Sequence, residues 1–246
     1  MKKILLFLLC ILPLYSEDIY ATFIVKSVQN STLSLASSGI VENIFVEIGS
    51  KVKKGDKLLM LRAKDLEANK NIAKYALQDA QKQYNFIKNQ FERYKKSKNV
   101  LDENTFEKIK TQFQSSAIKV KEAEANYALQ KELLQKTTLL APFDGVISEK
   151  YIEIGDGVGA ISSPLFELES LQKKVILAYD SKYFDKVKIH DEFFYNINGS
   201  AIKIPLKIIK IYPSIDIKTK KARAEALILD SKIPSGIFGD GFIVEK

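Results

Sequence analysis

One cysteine, one histidine and two methionines in 246 residues exclude most site chemistry at the outset. Cys10 lies inside an N-terminal apolar run, so a chain processed behind that run has no thiol. Disulfides and thiol chemistry then drop out. His190, between Ile189 and Asp191-Glu192, has no second histidine to converge with and reads as a surface or turn residue. With only Met1 and Met60, a thioether site for copper or silver is not expected. The Gly155-Asp156-Gly157-Val158-Gly159 stretch has the composition of a phosphate loop, but no helix pattern and no P-loop lysine follow it. It reads as a turn between strands. No catalytic, cofactor-binding or metal-ligating residue is assigned, and the chain is not expected to be an enzyme.

A second absence organises the chain. Between Asp56 and Ala141 there is no Gly and no Pro, although both occur freely elsewhere. Leu66, Ala73, Ala80, Ile87 and Tyr94 recur every seven residues there, with Leu77, Tyr84 and Phe91 offset by four. This 4-3 stripe is a coiled-coil seam. Phe106, Phe113, Val120, Tyr127 and Leu134 repeat the device, with a weaker partner series Ile109, Ser116, Ala123 and Gln130. Two helices of about 33 residues, each roughly 50 Å long, follow. Neither stripe is stable alone in water, so the spacing predicts an antiparallel hairpin over 63–137 that turns within Ser97 to Asn104. Asp102 or Asn104 suits the N-cap of the second helix. Tyr84, Phe91 and Phe106 fill the seam, whereas Phe86 falls off it and is the candidate for an exposed contact.

Lys2 and Lys3 precede an apolar run of about 11 residues, Ile4 to Leu14, too short for a bilayer span. Residues 1–16 read as a signal peptide with cleavage after Ser16, and the chain as a soluble exported protein of a bacterial periplasm. The net charge of +8 is spread through Lys/Glu mixtures and reads as a solvated surface. Export argues against a nucleic-acid partner.

The hairpin interrupts two β-rich halves of one small domain, Ser38 to Leu61 and Leu139 to Leu168. Ile19, Ala21, Phe23 and Val25 alternate ahead of them, and short strands with turns at Asn198-Gly199, Pro213-Ser214 and Pro234-Ser235-Gly236 follow. This spacing suggests a small antiparallel barrel.

At these residues the chain resembles the periplasmic adaptor, or membrane fusion protein (HlyD-like), family of bacterial tripartite efflux pumps. The first half-motif of that family is met by Gly39, Val41, Ile44, Val46, Gly49, Val52, Gly55 and Leu58. The second is met by Ala141 to Ile147, including Gly145, and then by Gly155 and Val158. Pro213, Asp216 and Thr219 resemble the family's barrel turn. The resemblance implies an α+β architecture. A lipoyl-like β-sandwich is split by the long hairpin, beside a small antiparallel β-barrel. The expected divisions are a signal peptide at 1–16 and a first barrel strand within 17–32. Lipoyl-like halves follow at 33–62 and 138–169, with the barrel at 170–246. About 17 residues after Leu229 leave no room for a membrane-proximal domain, so none is expected. The hairpin replaces the turn that carries a modifiable lysine in lipoyl domains, so no lipoyl or biotinyl cofactor is implied.

The resemblance also implies the partners: an inner-membrane transporter, most simply of the RND type, a TolC-type outer-membrane channel, and further copies of the adaptor in a ring. The alternatives are an adaptor of an ATP-driven exporter, or an envelope structural protein that dimerises through its coiled coil. Arg93, Leu101 and Asp102 are the expected channel contacts at the hairpin tip. Here Ser97 and Asn104 stand where the usual tip motif has Leu and Ser.

Overall fold

The computed structural model of the chain describes residues 18–96, 103–197, 200–201, 205–228 and 233–245. The expected signal peptide, the Asn198-Gly199 turn, Leu101 and Asp102 lie outside these residues. In chain order the first strands are β1 (Ile19–Ser27), β2 (Asn30–Leu33), β3 (Gly39–Ile44), β4 (Lys51–Val52) and β5 (Lys57–Leu61). Helices α1 (Lys64–Lys96) and α2 (Glu103–Gln135) follow. Then come β6 (Thr138–Leu140), β7 (Gly145–Lys150), β8 (Gly157–Val158), β9 (Phe166–Ser170) and β10 (Lys173–Asp180). The last strands are β11 (Glu192–Ile197), β12 (Ser200–Ala201), β13 (Leu206–Ile211), β14 (Lys221–Ile228) and β15 (Phe238–Val244).

The chain divides into two compact units. The unit of Ser31–Leu168 contains the hairpin and two four-stranded sheets, ordered β2-β9-β7-β4 and β6-β5-β3-β8. Their apolar faces share one core, in which Leu58, Leu59, Ile147, Leu165, Phe166 and Leu168 are fully buried. This is a sandwich, with strands from both sides of the helices interleaved. Val41 and Leu61, both from the first half, are equally buried there. β2 pairs with β9 in this sandwich, so the chain leaves the barrel unit at Asn30.

Residues up to Asn30 and from Glu169 onward form the second unit. Its strands run β11-β13-β14-β10-β1-β15, and β15 returns to pair with β11, which closes a six-stranded barrel. Closure removes the open edges that would invite aggregation. Alternation in β1 sends Ile19, Ala21, Phe23 and Val25 inside, and Val175, Leu177, Ala222, Ala224 and Ala226 meet them. Phe23 packs edge-on against Phe193 and Tyr195, with centroids 5.8 and 5.6 Å away. Gly241 is required for this closure, because a Cβ there would lie 2.1 Å from the Phe194 carbonyl oxygen. His190 is exposed with φ 80°, and its N–H donates to the Ile208 carbonyl at 2.8 Å.

One polar cluster is built into the barrel unit where β1 ends and β10 begins. The Glu169 carboxylate accepts from Ser27 Oγ at 2.5 Å, Ser235 Oγ at 2.6 Å and Lys173 Nζ at 3.1 Å. Burial pushes this carboxyl up, but the two hydroxyls and the ammonium outweigh it and hold the group below the ordinary glutamate range. A depressed folded value means the contribution to stability is complete at neutral pH and is lost as pH falls below about 4.3 and through the folded value. Thermal melts of the chain across that acid window are expected to show a falling midpoint, and Glu169→Gln is expected to flatten that slope.

Gly55 has φ 91° with open space around its missing Cβ, whereas Gly157 has ordinary φ and equally open space. Gly55→Ala is expected to cost about 1 kcal/mol through backbone strain alone, and Gly157→Ala to stay within about 0.5 kcal/mol of wild type, as read by urea unfolding.

Candidate functional site

The hairpin is the feature that most needs a functional account. α1 carries Asp65 and Glu67 in its first turn and Arg93, Lys95 and Lys96 in its last, each sign matched to the helix dipole. α2 opens on Glu103, which places Asn104 within its first turn and not ahead of it. Every residue of the expected seam is at least partly covered, and Ala73, Ile109 and Ser116 are buried. Ser116 is the polar exception, and its hydroxyl is satisfied by the Phe113 carbonyl at 2.7 Å.

Rings dominate the seam toward the tip. Phe91 stacks on Phe113 with centroids 4.9 Å apart and planes within 3°, and Tyr84 stacks on the same Phe113 at 5.5 Å. Phe106 meets Phe91 at 5.9 Å. These contacts lock the antiparallel register, because Phe113 is held between Tyr84 and Phe91, and Phe91 between Phe113 and Phe106, on the facing helices. Phe86 is 66% exposed, in accord with its position off the seam. Ile72 and Tyr75 on α1, and Ile118 and Leu129 on α2, are comparably exposed. Sequence reasoning did not single these out, although their three- and eleven-residue spacings return to one helical face.

The foot of the hairpin is a strand pair. β5 and β6 run antiparallel with Leu59 opposite Leu139 and Met60 opposite Thr138. The Leu61 N–H donates to the Thr137 carbonyl at 2.9 Å, and Thr137 Oγ1 caps the last turn of α2 by donating to the Leu134 carbonyl at 2.7 Å. The two half-motifs hold each other nearby. Gly55 and Ala141 are joined through Gly55 N–H to Ala141 O and Ala141 N–H to Asp56 O, at 2.8 and 2.9 Å. Asp144 accepts the Lys54 N–H at 2.7 Å. Gly49, Gly55 and Gly155 all sit in turns of positive φ, at 87°, 91° and 96°. Gly39 and Gly145 do not need that freedom; Gly39 instead lies close to Leu61, whose Cδ1 is 3.1 Å from an added Cβ. Lys150 bridges Glu47 at 3.1 Å and Glu153 at 3.0 Å, which ties matching loops of the two halves together.

Arg93 is exposed in the last turn of α1, next to residues 97–102 that lie outside the description. Of the three expected tip contacts it alone has a described position. In the barrel unit, Asp216 accepts the N–H groups of Thr219 at 2.9 Å and Lys218 at 3.0 Å. The Thr219 bonds hold its carboxyl below the ordinary range, with Lys218 adding to them. Pro213 is exposed and precedes this turn. Among the described residues no group of three His, Cys, Asp or Glu side chains converges as a metal site.

The stacked rings generate a measurable coupling. Phe91→Ala and Phe113→Ala are each expected to loosen the outer hairpin. A double-mutant cycle on helical thermal unfolding is expected to return a coupling of roughly 0.5–1.5 kcal/mol.

Residues 30–168 match the CzcB-like, barrel-sandwich hybrid domain. The cobalt-zinc-cadmium resistance protein CzcB of Cupriavidus metallidurans is 23% identical over 205 residues, 80% of this chain. The chain spans only 38% of the length of that relative. Among solved structures, MacA from Actinobacillus actinomycetemcomitans superposes with a TM-score of 0.75 at 18% identity, covering 94% of this chain and 79% of MacA. The membrane fusion protein Spr0693 from Streptococcus pneumoniae R6 gives 0.74 at 14% identity, covering 93% of this chain and 99% of that one. Hairpin, interleaved sandwich and closed barrel occur together in this fold. The chain belongs to the CzcB-like membrane fusion proteins, a family of adaptors and not of enzymes.

Proposed function

We propose that this protein is a periplasmic adaptor that links an inner-membrane export transporter to a TolC-type outer-membrane channel. The observation that carries the reading is the hairpin itself. Two 33-residue helices, about 50 Å long at 1.5 Å per residue, rise from a strand pair clamped between the half-motifs. Such a strut is suited to bridging a distance. Arg93, with Leu101 and Asp102 beyond it in sequence, is the proposed channel contact. The sequence resemblance supports a transporter of the RND type. The relatives' names, cobalt-zinc-cadmium resistance and cation efflux, support divalent cations as the cargo class. The proposed location is the periplasm, at the inner-membrane surface, after export by residues 1–16. Among the described residues no helix is long and apolar enough to cross a membrane.

A second reading is an envelope protein that dimerises or packs through its hairpins. The exposed Ile72, Tyr75 and Phe86 of α1 favour it, and the same residues would serve neighbouring adaptors in a ring. In-cell crosslinking from a photoreactive residue at Leu101 separates the two. Capture of an outer-membrane channel is expected, with Arg93→Glu lowering the yield about ten-fold, as loss of an interfacial Arg anchor does. Capture of this chain alone would overturn the bridging role in favour of the second reading.

A further inference from the structure

The outer wall of the barrel carries an aromatic row that runs into a basic cleft. Phe194 on β11, Phe242 on β15 and Tyr20 on β1 are successive cross-strand partners, so their side chains share one face. All three are exposed, at 39%, 45% and 51%, and Tyr20 meets Phe242 edge-on at 5.8 Å. Tyr20 is also the first wall of a cavity of about 530 Å³. Its other walls include Lys182, Lys220, Lys221 and Thr219, with Ala178 contributing only a methyl group. That small side chain leaves the depression between the taller neighbours.

The charge balance in the cleft is positive. Three lysines face one lining carboxylate, Asp180, whose Oδ1 already accepts the Lys182 N–H at 3.0 Å. Asp240, beyond the rim, accepts from the Tyr20 hydroxyl at 3.3 Å. Lys221 Nζ donates to the Thr22 hydroxyl at 3.4 Å, and Lys182 Nζ lies over the Tyr183 ring, 4.7 Å from its centroid. Backbone strain is invested at the same place. Lys220 is held at φ 55°, a region costly for a residue with a Cβ. The Asp216 turn enforces it, because the Lys220 N–H donates to the Asp216 carbonyl at 2.7 Å while the carboxylate fixes Lys218 and Thr219.

We propose that this cleft and row dock the barrel on a lipid surface, with the phosphate of an anionic phospholipid headgroup held by Lys182, Lys220 and Lys221. The row of Tyr20, Phe242 and Phe194 then lies at the boundary of headgroup and acyl chain, where amphipathic rings are favoured. A lipid fits better than an acidic peptide. The aromatic row adjoining a basic cleft matches the two depths of an interface, with rings at the acyl boundary and lysines at the headgroup phosphate. The inference rests on the adaptor reading only for which membrane is met. Crosslinking at the hairpin tip and vesicle binding at the barrel fail independently.

The test is co-sedimentation of the envelope-purified chain with phosphatidylglycerol–phosphatidylcholine vesicles and with vesicles of phosphatidylcholine alone. Binding is expected only to the anionic vesicles and is expected to weaken with added salt. Each lysine is worth roughly five-fold in partitioning, so Lys182→Gln with Lys220→Gln and Lys221→Gln should lower it on the order of 100-fold. A charge-matched control, Lys119→Gln with Lys121→Gln and Lys131→Gln on α2, should leave binding unchanged, as should the circular dichroism of both variants. Phe194→Ser with Phe242→Ser should weaken vesicle binding while sparing the fold. Equal losses in the two lysine triples would overturn the proposal in favour of diffuse charge. Displacement from vesicles by inorganic phosphate, with the aromatic variant unaffected, would replace it with a site for a free anion. Equal binding to both vesicle types, or to neither, would also overturn it.

Discussion

The pairing of β5 with β6 is the contact on which the rest of the sandwich unit depends. It joins Leu59 to Leu139 across a segment that contains the entire hairpin. Closing a flexible loop of about 75 residues would cost roughly 4 kcal/mol in chain entropy. The hairpin removes most of that cost, because two antiparallel helices return the chain to its starting point as they zip. Each part therefore supports the other. The strands anchor the helices, and the helices deliver the second half-motif to the first. The bonds between Gly55, Asp56 and Ala141, and from Lys54 to Asp144, then complete one core from two distant segments.

Much of this was legible because its signals are local. Heptad spacing located the seam residue by residue, and the stretch free of Gly and Pro enclosed both helices. Alternation in β1 identified Ile19, Ala21, Phe23 and Val25 as interior, and all four are buried. Ser116 shows where the pattern carried more information than residue type: it is polar, yet it sits in the seam with its hydroxyl turned to its own helix. The structure diverges from local reading wherever register between distant strands decides the outcome. No sequence window containing Tyr20 mentions Phe194, Phe242 or Lys221, and their shared face exists only through the pairing of β1 with β15 and of β15 with β11. The same holds for Glu169, whose partners Ser27 and Ser235 are contributed from opposite ends of the barrel unit. The Asp216 turn was visible as a motif, but the left-handed Lys220 that it imposes was not.

Both units place their strain and their uncompensated surface on the outside and keep their cores conventional. The barrel interior combines branched aliphatics and alanines with the interlocked rings of Phe23, Phe193 and Tyr195, and the sandwich interior is mostly branched aliphatics around Phe166. Left-handed backbone at Lys220 and His190 belongs to turns. This separation matters for an adaptor, because surface contacts can then change without disturbing the packing that holds the parts in shape. Partly buried polar clusters such as Glu169 with its two serines and lysine add orientation at the points where strands begin and end.

The hairpin departs from that rule. Among its two helices only Ala73, Ile109 and Ser116 are buried, which is a thin core for a structure of about 50 Å. Single exposed apolar residues are ordinary on protein surfaces, but those here are spaced. Tyr75 and Phe86 are eleven residues apart, as are Ile118 and Leu129, and eleven residues make three turns to within about 20°. Each helix therefore carries a second apolar line on the face turned away from its partner. Burial against a neighbour would gain more stability here than anywhere else on the hairpin, because the seam supplies so little. The proposed ring of adaptors would meet that need physically: it would convert a marginal two-helix strut into part of a continuous wall, and a wall resists bending in a way that one hairpin does not.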